Sequence, residues 1–203
     1  RRDPESDNED YHPADQGSDT VLWSGQSMLH WHCVTVAHGN SAVKISPEEA
    51  GYVSDICRYL GLKTEIFTPF VCGAFTKLYS KDAVEEAFAE GKILFFAGGT
   101  GHPYFSTDTA TVLRAVEIEA EAILLAKAVD GIYDSDPKLN PNAVKYDEIS
   151  IEEVVDKKLA AMDLTASIMC LEQKMPMLVF GLEEENSIVN AVHGKFTGTK
   201  VTV

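Results

Sequence analysis

The chain has 203 residues, of which 45% are apolar and 24% charged, as is typical of a globular domain. The 17 basic and 32 acidic side chains give a net charge of −15, which disfavours nucleic acid and anionic membranes as partners. No apolar run approaches the roughly 20 residues that a membrane-spanning helix needs. The 4 cysteines are irregularly spaced, which favours reduced thiols and a cytoplasmic protein.

The N-terminal quarter of the sequence has a character of its own. Residues 1–20 are rich in acids and lack an apolar cluster, which predicts disorder. Residues 21–50 follow neither a helical nor a strand period for long, and no Lys or Arg occurs between Asp3 and Val43. We therefore expect an atypical, disordered or non-native segment over 1–50 and a folded domain over 51–203.

Regular patterns of helices and strands begin near residue 51. Helical spacing of apolar residues predicts helices over 52–60, 82–90, 107–120, 164–174 and about 186–193. Short apolar runs predict strands over 63–67, 92–97, 122–127, 177–182 and 200–203. The string SIEE at 150–153 fits the capping box of a further helix start. This alternation predicts an α/β fold, a three-layer αβα sandwich around a largely parallel sheet.

The most informative stretch is AGGTGHPYFSTDTA at 97–110, which follows the predicted strand 92–97. Ligands of such sheets bind at the carboxyl ends of strands, where this loop would lie. Its glycines at 98, 99 and 101 allow backbone amides to approach a ligand closely, and its hydroxyls at 100, 106 and 107 can hydrogen-bond to one. The spacing fits neither a Walker P-loop nor the dinucleotide fingerprint.

The end of this loop carries an acid at the start of the predicted helix. We expect Thr107 or Asp108 to cap that helix, whose amino end favours anions. Asp108 could bind Mg²⁺ or orient reacting groups beside the anion. Tyr104 and Phe105 could line a flat ring. The coincidence of these residue types favours a ligand loop over a plain strand-to-helix turn.

A second polar cluster, VDGIYDSDP at 129–137, follows the predicted strand 122–127. Asp130-Gly131 is a turn signal, and Asp134, Ser135 and Asp136 add oxygen atoms. The cluster alone is compatible with a cation or nucleotide loop and equally with a solvated turn. The EF-hand spacing of a calcium site is absent.

From about Tyr52 to Val203 the chain resembles the bacterial UMP kinases of the amino acid kinase family. The strings that carry the resemblance are TEIFTPF, FFAGGTGHPYFSTDTA, LRAVEIEAEAILLAKAVDGIYDSDP, NPNAVKYDEIS and AAMDLTAS. The resemblance implies a three-layer αβα fold, assembly as homohexamers, and transfer of the γ-phosphoryl group of ATP to UMP, with Mg²⁺ as cofactor.

The resemblance also implies roles for individual residues. Asp108 would be catalytic, near the transferring phosphate. Asp163 would contact the site residues and not the ligand itself. Lys127, Tyr133 and Asp136 would bind the adenine nucleotide, although relatives have Thr or Asn at the position of Lys127. The UMP-binding residues would be Thr100, Gly101, His102, Pro103, Tyr104, Phe105, Ser106 and Thr107.

Residues 1–50 lack the elements that the resemblance leads us to expect there. The family has a KxSG element, whose Lys neutralises the transferring phosphate, and a GGG loop, and neither string occurs in this segment. We therefore expect the first strands of the sheet and the phosphate-binding loops to be missing or replaced, which would impair catalysis. Two alternatives to a UMP kinase stay open, namely a non-catalytic UMP- and ATP-binding fragment or pseudoenzyme, and a related kinase with another acceptor.

Overall fold

The computed structural model describes residues 18–23, 33–35, 47–195 and 197–203, with side chains from Ala50 onward except at residue 196. Of the segment predicted to be disordered, residues 1–17 lie outside the described residues. The helices are α1 Pro47–Tyr59, α2 Lys81–Ala89, α3 Thr107–Glu117, α4 Ile151–Asp156, α5 Leu164–Gln173 and α6 Ser187–Val192. The strands are β1 Ser18–Trp23, β2 Cys33–Thr35, β3 Thr64–Thr68, β4 Lys77–Leu78, β5 Ile93–Phe96, β6 Ala122–Lys127, β7 Glu148–Ser150, β8 Met177–Gly181 and β9 Gly198–Thr202.

The nine strands form one sheet in the order β4-β3-β5-β2-β1-β6-β8-β9-β7. Neighbours are parallel except at β1, which runs antiparallel to both β2 and β6, and between β8 and β9. The predicted largely parallel sheet is therefore confirmed. None of the helices within the described residues combines the length and the apolar content that crossing a bilayer requires.

Two strands from the N-terminal segment occupy the middle of this sheet. Strands β1 and β2 fill the space between β5 and β6. That the first strands of the family are missing or replaced in this chain stays a prediction. Residues 18–20, predicted to be disordered, begin β1. The antiparallel direction of β1 is not the arrangement that the parallel pattern led us to expect. No periodic pattern of apolar residues indicated these strands, because each is short or lies in a polar context.

Helices cover both faces of the sheet and give the predicted three layers. On one face, Ile66 and Phe95 pack with Ala50 of α1, and Phe180 packs with Ala191 of α6. The larger core lies on the other face, where α2, α3, α4 and α5 bury residues against the sheet. Adjacent residues of one strand alternate between the two cores, as Leu94 and Phe95 do, because successive side chains of a strand point to opposite faces.

Element positions after residue 51 follow the predictions closely, and the differences have local causes. Helix α1 begins at Pro47, five residues before the predicted start, because proline is well suited to the first position of a helix. Helix α3 ends at Glu117 rather than residue 120, because Glu119 adopts a left-handed φ of 57°. Ser150 caps α4 as predicted by accepting a hydrogen bond from Glu153 N at 3.1 Å.

Candidate active site

Strands β3, β5, β6 and β8 run in the same direction, so their carboxyl ends meet at one edge of the sheet. The loop after β5 is the glycine-rich 97–106 segment, and the loop after β6 contains the 129–137 cluster. The prediction that both clusters follow sheet strands is therefore confirmed. Strands β2 and β1 separate β5 from β6, so the two loops flank the centre of the sheet.

The glycine-rich loop depends on backbone conformations that favour glycine. Gly98, Gly99 and Gly101 have φ values of 89°, 64° and 76°. A Cβ atom on Gly101 would lie 2.9 Å from the Cβ of Pro69, and one on Gly98 would lie 3.1 Å from the ring of Phe70. The segment after β3 thus packs directly on the glycines, so at least these two glycines serve the shape of the loop itself.

The side chains at the tip of this loop face solvent. The Thr100 hydroxyl accepts a hydrogen bond from His102 N at 3.2 Å, which closes a tight turn. Tyr104 is fully exposed with a φ of 71°, and Phe105 is half-exposed. That these two rings line a flat ligand remains a prediction, and Pro103 is likewise exposed.

Ser106 caps helix α3, so the expectation that Thr107 or Asp108 does so is wrong. Ser106 has extended backbone angles of −76° and 169°, and its hydroxyl accepts a hydrogen bond from Thr109 N at 3.1 Å. Thr107 and Asp108 already lie in the first helical turn. An N-cap residue needs a non-helical conformation to direct its side chain at the free amides, and Ser106 alone of the three has it.

Asp163 connects the start of α3 to the start of α5. Its carboxylate caps α5 by accepting from Ala166 N at 3.0 Å. The same carboxylate accepts hydrogen bonds from the Ser106 hydroxyl and, at 3.0 Å, from the Thr109 hydroxyl. Asp163 therefore holds the helix end that follows the glycine-rich loop, which is compatible with its expected supporting role.

Asp108 and Lys127 join the first turn of α3 to the end of β6. The Lys127 ammonium donates to Asp108 Oδ2 at 3.3 Å, and the two side chains are only 4% and 13% exposed.

Burial, together with the negative charges of Asp108 and Asp163, raises the pKa of the Cys170 thiol on α5 to about 12. Such a thiol is protonated at neutral pH, so Cys170 is a packing residue and not a nucleophile.

The turn after β6 is organised around Asp130. The Tyr133 hydroxyl donates to Asp130 Oδ1 at 2.7 Å, and the Lys145 ammonium donates to Oδ2 at 2.8 Å. Burial tends to raise the pKa of the Asp130 carboxyl, but the hydrogen bonds from Lys145 and Tyr133 outweigh it and hold the pKa below its ordinary value. The Asp130 hydrogen bond in turn raises the pKa values of Lys145 and Tyr133.

This turn forms one wall of an open cleft of about 470 Å³. Its lining residues include Asp130, Tyr133 and Lys138 from this turn and Glu183 and Glu184 after β8. The cleft is large enough for part of a nucleotide.

Asp136, which was expected to bind the adenine nucleotide, has a local role in the described part of the chain. Its carboxylate accepts from Lys138 N at 2.8 Å, and its carbonyl oxygen accepts from Asn140 N at 2.8 Å. It shapes the turn that carries Lys138, and it is not among the residues that line the cleft.

Strand β9 stabilises the same turn through hydrogen bonds of Thr199. Thr199 is fully buried, accepts a hydrogen bond from Ile132 N at 2.8 Å and donates to Tyr146 O at 2.6 Å. A Cβ atom on Gly131 would lie 2.8 Å from both Thr199 Oγ1 and Lys145 Cδ. Sequence reasoning missed Thr199 and Lys145 because nothing local to either residue signals a partner so distant along the chain.

No three His, Cys, Asp or Glu side chains converge on a common point anywhere in the described ranges. This part of the chain therefore offers no cage of protein ligands for a metal ion. Asp108 and Asp130 each form an ion pair with a lysine.

Comparison with known proteins assigns the fold and these loops to one family. The amino acid kinase family profile matches residues 28–181, so the chain belongs to the amino acid kinase family. The match begins within the segment that the sequence set apart as atypical.

Within this family, uridylate kinases are among the relatives. The uridylate kinase of Psychrobacter cryohalolentis is 43% identical over 140 residues, which is 69% of this chain and 58% of that protein. The chain thus spans less than two thirds of this relative's length. The UMP kinase of Ureaplasma parvum superposes with a TM-score of 0.71 at 34% identity over 75% of this chain and 65% of its own. The UMP kinase of Bacillus anthracis gives 0.66 at 30% identity over 70% and 59%.

Proposed function

We propose that this chain carries the acceptor and nucleotide sites of a UMP kinase, which transfers the γ-phosphoryl group of ATP to UMP and gives UDP and ADP. The observation that carries the proposal is that two loops lie at one sheet edge, next to an ion pair between Lys127 at the end of β6 and Asp108 in the first turn of α3. Phosphoryl transfer needs an acceptor and a donor held side by side, and catalysis comes from positioning and charge neutralisation. The named relatives supply the choice of UMP.

The glycine-rich loop is the proposed UMP site. Thr100 to Thr107 supply hydroxyl groups, backbone amides and two aromatic rings next to the start of α3. The amino end of a helix attracts anions, so the UMP phosphate would lie near Ser106 and Thr107. Asp108, in the first turn, would then be close to the transferring phosphate.

The cleft beside Asp130 is the proposed ATP site. Tyr133 lies on its wall, with its hydroxyl fixed by Asp130, so its ring can flank the adenine base. Lys127 ends β6 directly before the cleft residue Ala128, and we expect it to lie on the phosphate side of the bound ATP. Asp136 would act indirectly, by holding the turn that carries Lys138.

Mg²⁺ is the proposed companion of ATP at this site. It keeps several waters and is held mainly by substrate phosphates with one or two carboxylates, and Asp108 would be the carboxylate nearest the transferring phosphate. When bound it would neutralise charge on the phosphate oxygens. We further propose a cytoplasmic homohexamer, on the strength of the family resemblance.

A non-catalytic UMP- and ATP-binding protein is the second candidate. It is favoured by the lack of any Lys or Arg between Asp3 and Val43, where the family resemblance calls for a phosphate-neutralising lysine. Two nucleotides bring several negative charges, and an acidic surface opposes their binding.

An assay with ATP, Mg²⁺ and UMP, followed by chromatographic detection of UDP, separates the candidates. CMP and a free amino acid serve as alternative acceptors. UDP formation with UMP supports the kinase, UMP binding without UDP supports the non-catalytic protein, and a product only with another acceptor contradicts both.

A matched pair of cap variants checks the location of the UMP site. Ser106→Ala removes the cap of α3, and Ser150→Ala removes the equivalent cap of α4, which lies outside both loops. We expect only Ser106→Ala to raise the KM for UMP, by about tenfold. The change removes the hydrogen bond that fixes the amino end of α3 beside the proposed phosphate position. Equal KM values in the two variants would place UMP elsewhere.

A further inference from the structure

Lys145 packs against the turn that forms one wall of the cleft, and it contacts three residues of that turn. Its ammonium donates to Asp130 Oδ2 at 2.8 Å. Its Cδ atom would lie 2.8 Å from a Cβ atom on Gly131, so its aliphatic stem fills the space beside that glycine. Its backbone pairs with that of Tyr133 in an isolated antiparallel bridge. Lys145 therefore supports this wall, although it is not one of the described residues that line the cleft.

The Asp130 carboxylate connects Lys145 to Tyr133. One of its oxygens accepts a hydrogen bond from the Lys145 ammonium, and the other accepts one from the Tyr133 hydroxyl at 2.7 Å. The Lys145 and Asp130 side chains are 27% and 38% exposed, so water reaches this pair only in part. The terminal torsion of an aspartate rotates easily. The orientation of the Asp130 carboxylate therefore depends on the Lys145 ammonium.

The orientation of the Tyr133 ring is fixed by this network before any ligand binds. A ring that can change rotamer must be ordered when a base stacks on it, and that ordering weakens binding. The hydrogen bond from the Tyr133 hydroxyl to Asp130 removes this freedom in advance. A phenylalanine would present the same ring face without the restraint. The hydroxyl group thus makes Tyr133 a preorganised surface for a flat ring.

The backbone of the turn is held by bonds that do not involve these side chains. Asp134 N donates to Val144 O at 3.0 Å, and Tyr146 N donates to Ile132 O at 2.9 Å. A change that is confined to the ammonium of Lys145 leaves both bonds in place. Such a change should therefore alter side-chain orientation and preserve the path of the chain.

We propose that Lys145 is a positioning residue for the adenine nucleotide, which fixes the Asp130 carboxylate and through it the Tyr133 ring that faces the base. The inference rests on the proposed function, because it takes the cleft beside Asp130 as the ATP site. Lys145 should therefore matter for a nucleotide that carries a base. It should not matter for inorganic tripolyphosphate, which has the phosphates alone.

A double-mutant cycle in the full chain tests whether Lys145 acts through Tyr133. Calorimetry measures the Kd of ATP for Lys145→Met, for Tyr133→Ala and for the combined variant. Methionine keeps most of the stem beside Gly131 and removes the ammonium. We expect Lys145→Met to weaken ATP binding about fivefold and Tyr133→Ala about tenfold. The combined variant should bind ATP within about twofold of Tyr133→Ala, because the ring through which Lys145 acts is already absent.

Two results of this cycle would overturn the inference. One is an additive loss of about 50-fold in the combined variant, which would show that Lys145 and Tyr133 act independently. The other is a Lys145→Met variant that binds ATP as tightly as the parent chain.

Inorganic tripolyphosphate distinguishes orientation of the ring from simple loss of a positive charge. Loss of charge would weaken the binding of tripolyphosphate and of ATP alike, and equal weakening in Lys145→Met overturns the inference. Weakening of ATP alone supports it. Lys92→Met is the matched control, because the Lys92 side chain is 18% exposed and its ammonium lies 3.1 Å from Glu65. Lys92 precedes β5, at the end of the sheet away from the cleft, so its loss should change both affinities by less than about twofold.

Tyr133→Phe tests the same network with a smaller change. It keeps the ring and removes the hydrogen bond to Asp130, so it should weaken ATP binding about as much as Lys145→Met does, roughly fivefold. Adding Lys145→Met to Tyr133→Phe should cause no further loss, and a further fivefold loss overturns the inference. If Lys145→Met does not fold, Lys145→Gln, which also removes the charge, takes its place with the same two outcomes.

Assays for UDP separate failure of this inference from failure of the proposed function. In an active chain we expect Lys145→Met to raise the KM for ATP about fivefold and to keep kcat within about twofold. A parent chain that makes no UDP but shows the expected ATP affinities supports the role of Lys145, although the kinase proposal has then failed. UDP formation together with an additive cycle overturns the role of Lys145 and leaves the kinase proposal intact. A parent chain that binds no ATP overturns both.

Discussion

The Asp163 carboxylate at the start of α5 accepts a hydrogen bond from the Ser106 hydroxyl at the start of α3, although 57 residues separate the two along the chain. Each of these residues also caps its own helix. One carboxylate therefore fixes two helix ends relative to each other. Because the α3 end follows the glycine-rich loop, the orientation of that loop depends on a residue that is remote in sequence.

Loss of this carboxylate should weaken both the fold and the acceptor site. Asp163→Ala removes the cap of α5 and the acceptor of two hydroxyl groups, so we expect the free energy of unfolding to fall by about 2 kcal/mol. Urea unfolding measures this change. Ser80→Ala, which removes only the cap of α2, should cost about 1 kcal/mol and leave UMP affinity unchanged. Equal effects on UMP affinity in both variants would contradict the role of Asp163.

Gly101→Ala should disrupt the glycine-rich loop by a clash as well as by strain. A Cβ atom there would lie 2.9 Å from Pro69, at a φ of 76°. Gly91→Ala is the matched control because its φ of 72° is similar and nothing lies within 4 Å. We expect the control to lose about 1 kcal/mol of stability and Gly101→Ala roughly 1–3 kcal/mol more, measured by urea unfolding. Calorimetry should detect loss of UMP binding in Gly101→Ala alone.

Thr199→Val should loosen the turn that forms the cleft wall. The variant keeps the shape of the side chain but leaves Ile132 N and Tyr146 O without their buried hydroxyl partner. We expect a loss of about 2–4 kcal/mol in thermal or urea unfolding and weaker ATP binding. Thr202→Val, whose hydroxyl makes a long contact of 3.5 Å to Ile149 O, should cost less than about 0.5 kcal/mol. ATP affinity unchanged in Thr199→Val would show that β9 does not support the cleft.

The buried thiol of Cys170 should make the protein sensitive to alkali. Its pKa is raised from 9.0 to about 12, so between these pH values the unfolded thiol loses its proton while the folded thiol keeps it. The unfolded state then binds fewer protons, and stability falls as pH rises, by up to about 1.4 kcal/mol per pH unit from this group. Unfolding curves of the parent chain and of Cys170→Ala above pH 9 should show the steeper decline in the parent.

Alkylation gives an independent check of the same thiol. At pH 8, Cys57 and Cys72, which are partly exposed, should react with iodoacetamide, whereas Cys170 should react only after denaturation. Peptide mass spectrometry locates the modified residues. Modification of native Cys170 at the rate of Cys57 would be incompatible with its burial.

The sequence predicted those elements that contain several turns or a continuous apolar run. Strands β5, β6 and β8 are such runs, and their order with the helices was sufficient to predict the αβα layers. Strand β4 has two residues and β7 three, which is too short for a period to be visible. Strands β1 and β2 join the sheet through partners on β5 and β6, and local sequence does not encode such pairings.

The candidate site was predictable to the extent that its residues lie in one loop. The residues of 97–108 are contiguous, so the chemical groups that they bring together can be recognised in the sequence itself. The contacts Lys127–Asp108, Asp163–Ser106 and Thr199–Ile132 join different elements, and each depends on how the chain folds back. The cap at Ser106 was missed because three adjacent residues could serve, and only backbone angles distinguish them.

The hydrogen bond from Ile132 N to Thr199 also has a consequence for how the protein is made. The two residues are 67 positions apart. Translation adds about 5–20 residues per second, so Ile132 precedes Thr199 by about 3–13 s. Throughout that interval the turn at Asp130 lacks its β9 partner, so the wall of the proposed ATP cleft is incomplete in the nascent chain.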